Sequence, residues 1–200
     1  MNRKQLIKQA EAIMPTDWGS FNIKAYSKSE DNHMPHIVLA SPNINVVEAV
    51  YVRIHSECIT GDLFHSNRCD CGAQLDKSMQ VISEKGGLLI YLRQEGRGIG
   101  IINKLKAYNK QDEGYNTIEA NLMLGFDADL RDFKDALEIL EAEGVKKIKL
   151  LTNNPQKIKA FDNSNIELIE RVALETLVRK ENEAYLKTKK DKLGHLFSSF

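Results

Sequence analysis

Arg131-Asp-Phe-Lys-Asp-Ala-Leu-Glu-Ile-Leu-Glu-Ala-Glu-Gly144-Val-Lys-Lys-Ile-Lys-Leu-Leu151 reads as a helix, a stop and a strand. Phe133, Ala136, Leu137 and Leu140 share one face of a helix over 131–143, and Gly144 stands where such a helix ends. Residues 147–151 then form a strand. Pro155 opens another helix behind the candidate caps Asn153 and Asn154, and 166–169 gives one more strand. Helices alternating with strands predict an α/β arrangement, a mixed sheet flanked by helices. Toward the N-terminus, Ile101, Leu105 and Tyr108 repeat the helical spacing until Gly114, and 88–92 reads as a buried strand. Before it, Leu75, Met79 and Ile82 mark a helix stopped by Gly86 and Gly87. The runs 21–26, 36–40 and 46–54 predict strands, so the N-terminal part is β-rich, behind a short amphipathic helix over residues 2–12. Without repeats, low-complexity tracts or a linker, one domain over 1–200 is expected.

Charge and composition narrow the function classes. Lys plus Arg and Asp plus Glu number 28 each, so no global field draws the chain to nucleic acid or an acidic membrane, and any anion must be bound locally. The N-terminal residues carry Lys4, Lys8 and Glu11 among the apolar ones, unlike a signal peptide, and no apolar run could span a bilayer. A cytoplasmic location is expected. The chain has 3 cysteines, Cys58, Cys69 and Cys71, an odd number in a short segment, which suits a metal site in a reducing compartment.

Three converging thiolates suit zinc. Three protein ligands with a fourth position open is the pattern of a catalytic zinc; a closed structural site completed by His55 or His65 is the alternative. Glu57 and His55 are local candidates for handling a water proton, or simply strand-end polarity. After the strand at 88–92, Arg93-Gln-Glu-Gly-Arg97-Gly-Ile-Gly100 should turn tightly into a helix, exposing backbone amides to a phosphate with Arg97 as an added cation. The glycines fit neither standard nucleotide loop, and a plain strand-to-helix turn reads equally from them. Asp129 could cap the following helix with Arg131 in its first turn, and Thr152 and Lys157 fall at a strand end and helix start, a common ligand position in α/β folds.

Taken together, Arg53-Ile-His-Ser-Glu-Cys-Ile-Thr-Gly-Asp62, Arg68-Cys-Asp-Cys-Gly72, Arg93 to Gly100, Gly125-Phe-Asp-Ala-Asp-Leu-Arg131 and Leu151-Thr-Asn-Asn-Pro-Gln-Lys157 resemble the GTP cyclohydrolase II family. The resemblance runs from Pro15 to His195. It implies zinc on Cys58, Cys69 and Cys71, and a GTP site lined by Arg53, Ile54, His55, Ser56, Glu57, Gln74, Glu95, Gly96, Arg97, Thr117, Thr152 and Lys157. It also implies Asp129 as proton acceptor and Arg131 as the attacker on the α-phosphate. A guanidinium stays protonated, so stabilising the transition state suits Arg131 better than covalent attack. Tyr108, otherwise a core-stripe residue, is associated by the resemblance with release of formate.

The implied activity is zinc-dependent hydrolysis of GTP to 2,5-diamino-6-(5-phosphoribosylamino)pyrimidin-4(3H)-one, formate and pyrophosphate, the first step of riboflavin biosynthesis. Magnesium on the triphosphate and a homodimer are also implied. The alternatives are a cyclohydrolase that stops at the formamide and a zinc-stabilised nucleotide-binding regulator without turnover. The synthase domain that many family members carry on their N-terminal side has no counterpart here, so a monofunctional version is expected. Two departures stand out: Asn116 replaces the family's usual aspartate before Thr117, and 173–182 is less similar than the rest.

Overall fold

The structure, a computed structural model, describes residues 5–198. They form two compact units. The first comprises the described part of Met1–His55 with Asp76–Arg93 and Phe133–Leu174; the second comprises Ser56–Leu75, Gln94–Asp132 and the described part of Glu175–Phe200.

The first unit holds the sheet. Its strands are β1 (Ile7–Thr16), β2 (Gly19–Ser27), β3 (His36–Ala40), β4 (Val50–Ser56), β5 (Gly87–Leu92), β6 (Lys147–Leu151) and β7 (Glu167–Val172), in the order β1-β2-β3-β5-β4-β6-β7. β1, β2, β3 and β5 pair antiparallel, whereas β4, β6 and β7 run parallel. The sheet is therefore mixed, as the alternating pattern predicts. Helices α2 (Cys71–Lys85), α5 (Lys134–Ala142) and α6 (Pro155–Lys159) belong wholly or in part to this unit.

Alternation along β5 explains its unbroken apolar sequence. Leu88, Ile90 and Leu92 join a core cluster with Ala136, Ile139 and Leu140 of α5 and with Val52, Ile54, Ile148 and Leu150. Leu89 must point to the opposite face, yet it is buried as deeply, so both faces of this strand are covered. Beyond the end of α5, Glu143 accepts hydrogen bonds from Lys24 Nζ and the Tyr26 hydroxyl, each at 2.5 Å, which ties β2 to that helix.

Several expected boundaries differ, the strand over 166–169 running on to Val172 among them. The helix over 2–12 is absent: its described part lies in and just before strand β1, and residues 2–4 lie outside the described residues. Of its described apolar residues Leu6 joins the core while Ile7 is 54% exposed, so no helical stripe is buried. Pairing with β2 across the Thr16–Gly19 turn fixes the segment instead, a tertiary override of local pattern. The strand over 46–54 starts only at Val50, because Asn45 Oδ1 accepts the Val47 amide at 3.2 Å and turns the chain. The helix over 131–143 starts only at Lys134, because Phe133, with φ −110° and ψ 6°, is its N-cap and stands outside helical geometry.

Candidate functional site

In the second unit the three cysteines converge. Cys58 is the N-cap of the short helix α1 (Ile59–Asp62), Cys69 sits in the following loop and Cys71 opens α2. Their sulfurs lie within 4.8 Å of one another, with Cys58 and Cys69 at 3.7 Å. Two sulfurs on one tetrahedral zinc, with bonds of about 2.3 Å, stand about 3.8 Å apart, so the donor set fits that ion. Among the described residues no histidine groups with the three sulfurs.

Charge makes the same point. Hydrogen bonds from the Cys69 and Cys71 thiols, aided by the Lys104 ammonium, hold Cys58 far below the ordinary thiol range. Its bonds to the other two push Cys69 up to about 11 and raise Cys71 as well. The cluster thus holds one thiolate easily and three only around a cation.

Helix α3 (Gly100–Asp112) closes over the cluster with residues four apart. Lys104 Nζ donates to Cys58 Sγ at 3.1 Å and to Glu95 Oε1 at 2.8 Å, while Glu95 Oε2 accepts the Ile59 amide at 2.6 Å. The Tyr108 hydroxyl lies 3.2 Å from Thr60 Oγ1, itself 3.7 Å from Cys58 Sγ. Tyr108 is therefore tied to the site, and Leu105 of the supposed core stripe is exposed. Lys104 was not among the candidates that the motifs supplied. Its signal was its spacing to Tyr108, four residues on along the same helix.

The loop before α3 contains a 3-10 turn at Glu95–Gly98, where Gly96, Arg97 and Gly98 have φ of 62°, 60° and 92°. Arg97 alone among these bears a side chain in the left-handed region, which carries strain. The loop leans on the segment before Arg131: Leu130 donates to Arg97 O at 3.1 Å, and Arg97 Nη1 to Ala128 O at 3.4 Å. There Asp129 and Arg131 form a forked pair, Nε to Oδ1 at 2.8 Å and Nη2 to Oδ2 at 2.5 Å. Burial opposes both charges, but each partner outweighs it, keeping Asp129 below and Arg131 above its ordinary range. Asp129 does not cap α5, whose N-cap is Phe133 with no side-chain cap bond.

The remaining candidates of this unit are more dispersed. Gln74 Nε2 donates to Asp70 Oδ2 at 2.6 Å, and Ser56 Oγ accepts from Gln94 at 2.9 Å. Thr117 opens helix α4 (Thr117–Met123). Its cap is Asn116, whose Oδ1 accepts the Ile118 and Glu119 amides at 2.9 and 3.1 Å while Glu119 bonds back. Asparagine caps as well as aspartate, so this departure from the family pattern leaves the helix start intact.

In the first unit a second group gathers at the ends of β4 and β6, where parallel pairing sets Val52 beside Leu150. Arg53 Nη1 donates to Leu151 O at 3.1 Å, and Lys157 Nζ to Ile54 O at 2.7 Å. Thr152 Oγ1 accepts the Asn154 amide at 3.0 Å, and Asn154 caps α6. His55 stacks on Tyr91, ring centroids 5.4 Å apart. Ile54 differs from the rest: its side chain is core, so it can offer a ligand only backbone atoms.

A family profile described as GTP cyclohydrolase II matches residues 7–173. The chain is 50% identical over 192 residues to the riboflavin biosynthesis protein RibBA of Bacillus cereus, covering 96% of this chain and 48% of that protein. It is 48% identical over 200 residues to RibBA of Chlorobium phaeovibrioides, with 99% and 48% covered. The chain thus spans about half the length of the curated relatives it matches. A solved two-domain 3,4-dihydroxy-2-butanone 4-phosphate synthase, RibBX from A. baumannii, gives a TM-score of 0.45 at 20% identity, over 88% of this chain and 42% of that one.

Gly61 lets the sulfurs meet: a Cβ there would lie 2.8 Å from Cys69 Sγ and 3.2 Å from Cys58 Sγ. Gly61→Ala is expected to keep the far-ultraviolet circular dichroism of the parent and to weaken zinc uptake about ten-fold or more. Chelator competition measures it; parental affinity in the variant would mean that the three thiols do not act as one site.

Proposed function

This chain belongs to the GTP cyclohydrolase II family, and from that premise we propose that it hydrolyses GTP to the diaminopyrimidinone ribosylamine phosphate, formate and pyrophosphate. One observation carries the reading. Within one unit, three thiols fitted to zinc are linked through Glu95 and Lys104 to the loop that bears Arg97, and that loop rests on the segment bearing Asp129 and Arg131. Three waters are consumed: one opens the five-membered ring of guanine at C8, one frees formate, and one cleaves the α–β phosphoanhydride.

Cys58, Cys69 and Cys71 would hold zinc, which when bound would supply Lewis acidity that makes water a stronger nucleophile toward the ring carbon. The other roles belong to side chains. Lys104 draws charge from the Cys58 sulfur, offsetting part of the excess that three thiolates bring to a divalent ion. Arg97 and Arg131 offer guanidinium groups to the triphosphate, with magnesium neutralising the remainder. Because Asp129 keeps Arg131 protonated, Arg131 acts as a cation that stabilises charge on the phosphorus and not as a nucleophile. The proton-acceptor role that the family resemblance implies for Asp129 would require its carboxylate to leave the forked pair with Arg131; in that pair it orients the guanidinium. Arg53, His55, Thr152 and Lys157 of the first unit supply polar groups at strand ends, the usual ligand position of parallel sheets, and the Ile54 backbone with Ser56, Glu57, Gln74, Glu95, Gly96 and Thr117 completes the proposed GTP set.

We assign the activity to the cytoplasm, where free thiols persist; among the described residues no helix is long and apolar enough to cross a membrane. A homodimer is proposed as well. Packed helices α3 and α4 leave Ile102, Leu105, Leu122 and Met123 between 49% and 69% exposed, an apolar surface suited to a second copy.

Incubation of the purified protein with GTP, zinc and magnesium is expected to yield formate and pyrophosphate in equal amounts, and Cys69→Ser to yield no formate. Formate release by that variant at the parental rate would refute the metal-centred reading. Tyr108→Phe addresses the second hydrolysis, because the phenol, kept protonated by burial, can donate to the ring-opened formamide. Formate release should fall about ten-fold more than GTP consumption, with formamide accumulating on chromatography. Matched losses would return Tyr108 to a packing role.

A further inference from the structure

We propose that Lys189 of α7 (Glu183–Leu193) is a positioning residue for the three-thiol site, holding the Cys69-Asp70-Cys71 turn in place through the Asp70 carboxylate. The inference rests on reading that site as a metal site. It assigns a role to a segment beyond residue 173, where the family match ends.

Asp70 lies between two sulfur donors and is only 2% exposed. A carboxylate so buried must be paired and hydrogen-bonded. Both oxygens are engaged: Oδ2 accepts from Gln74 at 2.6 Å, and Oδ1 from Lys189 Nζ at 2.5 Å. The two partners differ in kind. Gln74 is one turn further along α2, and its amide also bonds Asp70 O at 3.0 Å, so it holds Asp70 only to its own helix. Lys189 arrives from 119 residues away and is the cation that fixes the turn against another element.

Lys189 is itself held. It is 8% exposed, and its ammonium stands 4.5 Å from the ring centroid of Tyr185, one turn earlier on α7. The pair therefore joins two immobilised side chains, the condition under which an ion pair transmits position. Lys104 donates to Cys58 among the sulfurs, whereas Lys189 holds the Cys69-Asp70-Cys71 turn from a different helix. Partners of this kind commonly set metal affinity by 10- to 100-fold without touching the ion, roughly the range expected here.

Reciprocity gives a test on the unaltered protein. If α7 holds the turn for the metal, the metal must stabilise α7 equally. Hydrogen exchange of the α7 amides should slow when zinc is added to the metal-free chain, and unchanged exchange with zinc bound overturns the inference. Lys189→Met should weaken zinc in chelator competition about ten-fold or more, and should shift the thiolate-to-metal charge-transfer band of the cobalt-loaded protein. Asp70→Asn should act alike, and the double variant should be no worse than either single change, because all three remove one interaction. The double variant leaves no unpaired buried charge, so it covers the case in which Lys189→Met fails to fold. Parental zinc affinity and an unshifted cobalt band in any folded variant of this set would reduce Lys189 to an anchor for α7. A chain that takes up no zinc at all would overturn the metal reading itself, an outcome distinct from zinc bound without effect on α7.

Discussion

Three sulfur atoms within 4.8 Å of one another cannot all ionise unless positive charge is placed among them, and much of the second unit answers that demand. Gly61 leaves room for the approach, Lys104 lays an ammonium against one sulfur, and Glu95 holds Lys104 while receiving the amide that follows Cys58. The Arg97 loop follows Glu95, and the Asp129–Arg131 pair follows the residues on which that loop rests. A single electrostatic requirement thus connects residues drawn from four separated stretches of the chain.

The sheet of the first unit was legible where burial is two-sided and local punctuation is strong. The strand over 88–92, the Gly86-Gly87 stop, the strand 147–151 and the Pro155 helix start all stand within a residue of expectation. Legibility failed at the edges. In β1 the apolar spacing is helical, but an edge strand held by one neighbour needs no apolar face, so periodicity carried no information there. Helix α7 was missed for the opposite reason: only Leu186 and Lys189 of its residues are buried, too few for a stripe.

The candidate site shows the same division. Cysteine spacing announced the cluster, because ligand chemistry restricts which residues can do that work. Lys189 carries no site signal in the sequence and Lys104 only its spacing to Tyr108, since a lysine in a helix reads as solvated surface until the fold removes its water. Asp129 reads equally as cap or functional group in the sequence; in the structure its carboxylate pairs with Arg131 and does not cap α5, whose N-cap is Phe133.

The account stands on an open three-sulfur metal site. X-ray absorption at the zinc edge of the purified protein tests it most directly. Three sulfurs at about 2.3 Å with one lighter neighbour are predicted. A fourth sulfur, an imidazole shell in place of a sulfur, or a protein that retains no zinc would contradict it.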